Sequence, residues 1–158
     1  DAYGIRHALL VGPNSGYGLD NRCLLDAIAQ GQGRFKGIAV VRPDAGRDEL
    51  LALREAGVIG VAFNATVMGL DHYAGTAALL RELAAQDMLL SLQVEHDQLL
   101  ALRPLVEDSG VRVLIDHGGR PDPAQRAEFR GRGLHPPRQQ HRAAGRPHRS
   151  PRGRDKAG

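Results

Sequence analysis

Apolar residues in this chain fall into two alternating kinds of run. The first kind is short and nearly continuous: HALLVG at 7–12, FKGIAVV at 35–41, IGVAFN at 59–64, LLSLQV at 89–94 and VRVLID at 111–116. Runs of this length, rich in Val, Ile and Leu, predict strands. The second kind recurs at three- and four-residue intervals. LDNRCLLDAIAQG (19–31) places Leu24, Leu25 and Ile28 on one helical face, with Asp20 as N-cap and Gly31 as stop. DELLALREAG (48–57), GTAALLRELAAQ (75–86) and DQLLALRPLVEDSG (97–110) read as helices in the same way, Pro104 bending the last or delaying its start.

Strands this continuously apolar are expected to be covered on both faces, which predicts parallel βαβ units with right-handed crossovers. The fold class is therefore α/β. Two architectures fit: an open doubly wound sheet, or part of a (β/α)8 TIM barrel with about five strands. At 158 residues there is room for one core. PNSGYG at 13–18 is not the G-x-G-x-x-G fingerprint, so a dinucleotide site is not indicated. In both architectures chemistry gathers at the carboxyl ends of the strands. Those ends carry Asn14 and Tyr17, then Arg42, Asn64, Gln93 with Glu95, and Asp116 with His117. Gln93, between Leu92 and Val94, is placed to point inward.

Charge divides the chain in two. The net +3 averages residues 1–125, with 11 basic against 16 acidic residues (net −5), and residues 126–158, with 10 against 2 (net +8). The second segment has no Val or Ile, one Leu and one Phe, and is dominated by Arg, Pro, Gly, His and Ala. Nothing in it can bury a face, so it is expected to be a disordered basic tail. Its one aromatic, Phe129, offers little base stacking, so specific nucleic-acid recognition is not expected of it. No run is long enough to span a bilayer and DAYGIRHALL is not a signal peptide. A lone cysteine, Cys23, expected to be a small buried residue, fits a reducing cytoplasm. The chain does not begin with Met, which suggests a piece of something longer.

GYGLDNRCLLDAIAQ, GRFKGIAVVRPD, AGVIGVAFN and VLIDHGGRPDP, in this order, resemble the amidohydrolase superfamily of TIM barrels. The resemblance covers residues 5 to about 125 and is nearest the lactonase branch, which includes 2-pyrone-4,6-dicarboxylate hydrolases and sugar-lactone hydrolases. It implies a hydrolase that opens a lactone or related cyclic ester by water attack on the carbonyl. His117 matches the strand-end histidine of the family's DH motif, implied to face the active site as a ligand to a divalent metal such as zinc or as a hydrogen-bond donor to the substrate carbonyl. Ester hydrolysis builds negative charge on that oxygen, and a fixed donor or cation there lowers the barrier. Asp116 is expected to orient the loop or a neighbouring ring. Arg120 either binds a carboxylate or braces the turn. Asn14, Tyr17, Asn64 and Gln93 are candidate substrate-binding residues.

Departures refine this picture. The dicarboxylate hydrolases carry an arginine just before the FN pair, where this chain has Ala62, and a second near the position of Met68. The loss of two cations argues for a neutral or singly charged lactone. The family's H-x-H pair and late aspartate have no counterpart here: His7, His72 and His96 form no such pair. The chain is thus expected to be an incomplete barrel with impaired activity, and 126–158 to be a frameshift product. Alternative expectations are a non-catalytic half-barrel that associates with itself through open sheet edges, and weak polyanion binding through the tail.

Overall fold

The computed structural model describes residues 4–122; the segment 126–158, for which disorder and a frameshift are expected, lies outside the described residues. Five strands form one sheet: β1 (Ala8–Val11), β2 (Phe35–Ala39), β3 (Val58–Asn64), β4 (Leu89–Gln93) and β5 (Arg112–Ile115). All neighbours are parallel and their spatial order is their chain order. A doubly wound sheet reverses its strand order at a switch point. This one does not, and the barrel alternative is the one realised.

Between the strands run α2 (Arg22–Gln30), α3 (Arg47–Glu55), α5 (Ala77–Ala85) and α6 (Gln98–Ser109), the last passing through Pro104. Two four-residue helices, α1 (Asn14–Tyr17) and α4 (Ala65–Met68), follow β1 and β3. Neither has a periodic apolar signature, since one turn is too short to show a face. Strand side chains alternate, and the alternation sorts them into two layers. Ala39, Val41, Val61, Phe63, Leu90, Leu92 and Val94 join Leu24, Ile28, Leu50, Leu53, Leu80, Leu83, Leu102 and Val106 of the helices in one core. Ile38, Val40 and Ala62, flanked by Ile59 and Leu89, form a second, smaller cluster on the opposite face. Each Leu in the main core contributes on the order of 1.5–3 kcal/mol by burial.

Two expectations change. The outer strands are covered on one face only among the described residues: Leu9, Val11 and Leu114 are exposed, because β1 and β5 have a strand neighbour on one side. Cys23 is exposed rather than buried. The amphipathic face of α2 is carried by Leu24 and Ile28, and position 23 precedes that stripe.

Gly60 marks a close approach between strands. A Cβ there would sit 2.5 Å from the carbonyl oxygen of its register partner Leu89 and 2.8 Å from that residue's Cγ. Backbone cannot move aside cheaply, so Gly60→Ala is expected to lower stability by about 1–3 kcal/mol. A urea midpoint indistinguishable from wild type would contradict this packing.

Candidate active site

The carboxyl ends of the strands open into a cleft of about 700 Å³. Its apolar walls include Val11, Val40, Ala62, Phe63, Val67 and Met68, and its polar groups include Arg42, Asp44, Asn64, His72, Tyr73, Gln93 and Asp116. The inner register explains the grouping. Asn64 pairs with Gln93, Ala62 with Ser91 and Ser91 with Leu114, so Asp116 stands one place beyond the Leu92–Ile115 pair, at the height of Gln93.

Each polar group is held by its neighbours. Asn64 caps α4: its Oδ1 accepts from the Thr66 hydroxyl (2.7 Å) and the Val67 N–H (3.2 Å), as short polar side chains do at helix starts. The Gln93 amide donates to Thr66 Oγ1 at 3.4 Å. This chain of bonds occupies the Asn64 carbonyl and leaves its NH2 without a partner among the described residues. The Asn64 backbone N–H donates to the Tyr73 hydroxyl (2.9 Å), and the Tyr73 ring stacks on Phe63 with centroids 4.1 Å apart. Burial pushes the Tyr73 phenol up, so it stays protonated. Ser91, buried on the inner face of β4, donates to Asp116 Oδ1 (3.1 Å) and Oδ2 (3.2 Å). Arg42 donates to Asp44 (3.0 Å) and comes within 3.8 Å of Glu49, and its guanidinium holds the Asp44 carboxyl below the usual range.

The loop from β1 to α2 is fastened by Asn21. Past the end of β1, its side chain accepts from Val40 N–H (3.0 Å) and donates to Val40 C=O (2.7 Å), replacing a strand neighbour. The sequence pattern assigns Asn21 to a first helical turn; it is the N-cap position of α2, and Asp20 accepts the Arg22 N–H instead. Asn21→Ala strands two largely buried backbone groups, and a loss of about 1–3 kcal/mol is expected. Amide exchange at Val40 should accelerate with it; unchanged protection would show that the clamp is dispensable.

Of the residues singled out from the sequence, Arg42, Asn64, Gln93 and Asp116 line the cleft. Tyr17 lies in α1 and is exposed, and Gly18 and Leu19, the next two residues, line the cleft in its stead. Asn14 opens α1. His117 and Arg120 are exposed at the tip of β5 and outside the cleft lining, whereas Asp116 is in it. His72 and Tyr73 are the cleft residues that the reading of strand ends passed over; they lie in the short turn Asp71–Tyr73 beyond α4, and no local pattern of the sequence marks them.

The DHGG-R turn is unusual in its backbone. His117 (φ 51°, ψ 26°), Gly118 (φ 65°, ψ 17°), Gly119 (φ 76°) and Arg120 (φ 40°, ψ 54°) all lie in the left-handed region. Arg120 C=O accepts from His96 N–H at 3.1 Å, tying the turn to the loop after β4. Left-handed geometry costs a non-glycine residue about 1–2 kcal/mol, and such outliers cluster at functional sites. His117→Gly should therefore be more stable than His117→Ala by about 1 kcal/mol in thermal or urea unfolding. Equal stabilities would mean that the turn carries no such strain.

A divalent metal does not fit the described residues: no three His, Cys, Asp or Glu side chains among them come together to hold one. No helix among them is long and apolar enough to cross a membrane.

A family profile described as Amidohydrolase matches residues 2–147. The chain belongs to the amidohydrolase family. The match runs past residue 125 into the arginine-rich segment. The 4-sulfomuconolactone hydrolase of Hydrogenophaga intermedia is 29% identical over 130 residues, covering 78% of this chain and 42% of that protein. The 2-pyrone-4,6-dicarboxylate hydrolase of Comamonas testosteroni is 33% identical over 110 residues, covering 67% of this chain and 35% of that protein. Among solved structures, a probable 2-pyrone-4,6-dicarboxylic acid hydrolase from Acinetobacter baumannii with citric acid bound superposes with a TM-score of 0.68 at 31% identity, over 75% of this chain and 45% of that one. This amidohydrolase chain therefore spans less than half the length of the relatives it matches, and its five parallel strands correspond to part of their TIM barrel.

Proposed function

We propose that these residues form part of the active site of a lactone hydrolase, in which water adds to the carbonyl of a cyclic ester seated in the cleft. One observation carries this reading. In a chain of the amidohydrolase family, Asn64, Gln93 and Asp116 meet at one level over an apolar floor, in a cleft of about 700 Å³, a size suited to a small-molecule ligand. The names of the relatives from Hydrogenophaga and Comamonas point to ring-opening hydrolysis as well.

In this reading the free Asn64 NH2 and the Gln93 amide orient the ring. Water forms a bond to the carbonyl carbon, the ring C–O bond breaks, and a hydroxy acid leaves. His117 is exposed beside Asp116 at the open edge of β5, outside the lining of the described cleft, and its proposed part is to donate a hydrogen bond, over that edge, to the carbonyl oxygen as charge develops on it. The left-handed backbone at His117, a conformation that gathers at functional sites, supports this role. Arg120 braces the turn through its carbonyl, and Asn14 and Tyr17 are the first and last residues of α1, which follows β1.

The test is ring opening of a lactone panel by the 158-residue chain and by a complete barrel that contains it, followed by loss of ring absorbance. Turnover by the complete barrel is expected, with His117→Ala lowering kcat by about 100-fold. Turnover that survives EDTA assigns His117 to the carbonyl; loss with EDTA assigns it to a metal. No ring opening above the uncatalysed rate would overturn the reading, and full activity of His117→Ala would remove this residue from it.

A further inference from the structure

The ionisable groups lining the cleft are Arg42, Asp44, His72, Tyr73 and Asp116. Their charges do not count equally. Arg42 is paired with Asp44 at 3.0 Å and lies 3.8 Å from Glu49, so these two carboxylates offset part of its positive charge. Asp116 has no basic partner among the described residues; its two oxygens share the single proton of the buried Ser91 hydroxyl, at 3.1 and 3.2 Å. Ser91 itself is 1% exposed, flanked across the register by Ala62 and Leu114. A hydroxyl in such a row is costly without a partner, and its partner among the described residues is the carboxylate that faces the cleft. The remaining lone pairs of that carboxylate are open to a donor within the cleft. Ala62 and Met68 line the same space and bring no cation.

We infer that Asp116 is the specificity-determining group of this cleft. It accepts hydrogen bonds from hydroxyls of a polyhydroxylated lactone and disfavours a dicarboxylate by like-charge repulsion. Ser91 is the positioning residue that fixes the Asp116 carboxylate. This rests on the lactone-hydrolase reading for its substrate class, although the charge preference of the cleft can be measured without turnover.

The probes are D-galactono-1,4-lactone, neutral and hydroxylated, and 2-pyrone-4,6-dicarboxylate, a dianion of similar size. Each is titrated calorimetrically into the 158-residue chain, wild type, Asp116→Asn and Ser91→Ala. The wild type should prefer the galactonolactone by about 10-fold or more, the scale of one charge-assisted hydrogen bond. Asp116→Asn, isosteric and uncharged, should weaken the galactonolactone about 10-fold and strengthen the dicarboxylate, moving the ratio of affinities by more than either alone. Ser91→Ala should shift the ratio in the same direction by less; a purely structural loss would weaken both probes alike. Tighter dicarboxylate binding by the wild type, a ratio that Asp116→Asn leaves in place, or binding of neither probe overturns the inference. If the expected ratio appears but the complete barrel opens no lactone, the hydrolase reading falls and the charge preference stands.

Discussion

A one-residue slip of β4 against β3 would exchange the two faces of β4. Val61, Phe63, Leu90 and Leu92 now lie under the helices, and Ala62, Asn64, Ser91 and Gln93 face the other way. The period of a strand is two, so any slip of one places Ser91 and Gln93 in the main core and Leu residues in the cleft. Burial of the leucines under α5 and α6 fixes the register. The register in turn sets Asn64 beside Gln93 and brings Asp116 to their level. The chemistry of the cleft is in this sense a by-product of packing on the opposite face.

What packing leaves undone, a few polar side chains complete. The loops after β1 and β3 are fastened at the strand tips by side chains that bond backbone groups. Asn21 holds the first by bonding both backbone groups of Val40, and Tyr73 holds the second by accepting the Asn64 N–H while stacking on Phe63. These bonds satisfy backbone groups at the strand tips, where the ladder has run out and an unpaired buried group would be costly. The exposed ion pairs, Arg22 with Asp20 and Arg103 with Glu107 among them, contribute far less to the fold, since solvent and salt screen them.

The turn after β5 obeys a different logic. Two glycines make a left-handed path affordable in the middle, and His117 and Arg120 accept it at either end. The path is anchored at His96, so the loops after β4 and β5 are mechanically joined. A histidine and a cleft-facing aspartate are thereby set side by side with different exposures. The outer edges of β1 and β5 remain unpaired among the described residues, consistent with a chain that matches less than half of the relatives' length.

By itself, the order of residues determined the five strands, the four longer helices and their parallel alternation, because burial imposes periods of two and 3.6 that any reader of the chain can recognise. It determined as well that polar groups such as Asn64, Gln93 and Asp116 stand at strand tips, and that VLIDHGGRPDP belongs to an amidohydrolase pattern. Only the tertiary structure decided which of these groups meet. That Asp116 rather than His117 lines the cleft follows from the left-handed backbone of one turn. That Ser91 bonds to it follows from a register between residues 25 positions apart. That Asn21 is a substitute strand neighbour, and Cys23 a surface residue, follows from where β1 ends and how α2 is rotated on the sheet. Local patterns report what a residue would bury, whereas contacts across the chain depend on three-dimensional closure that no short window of sequence contains.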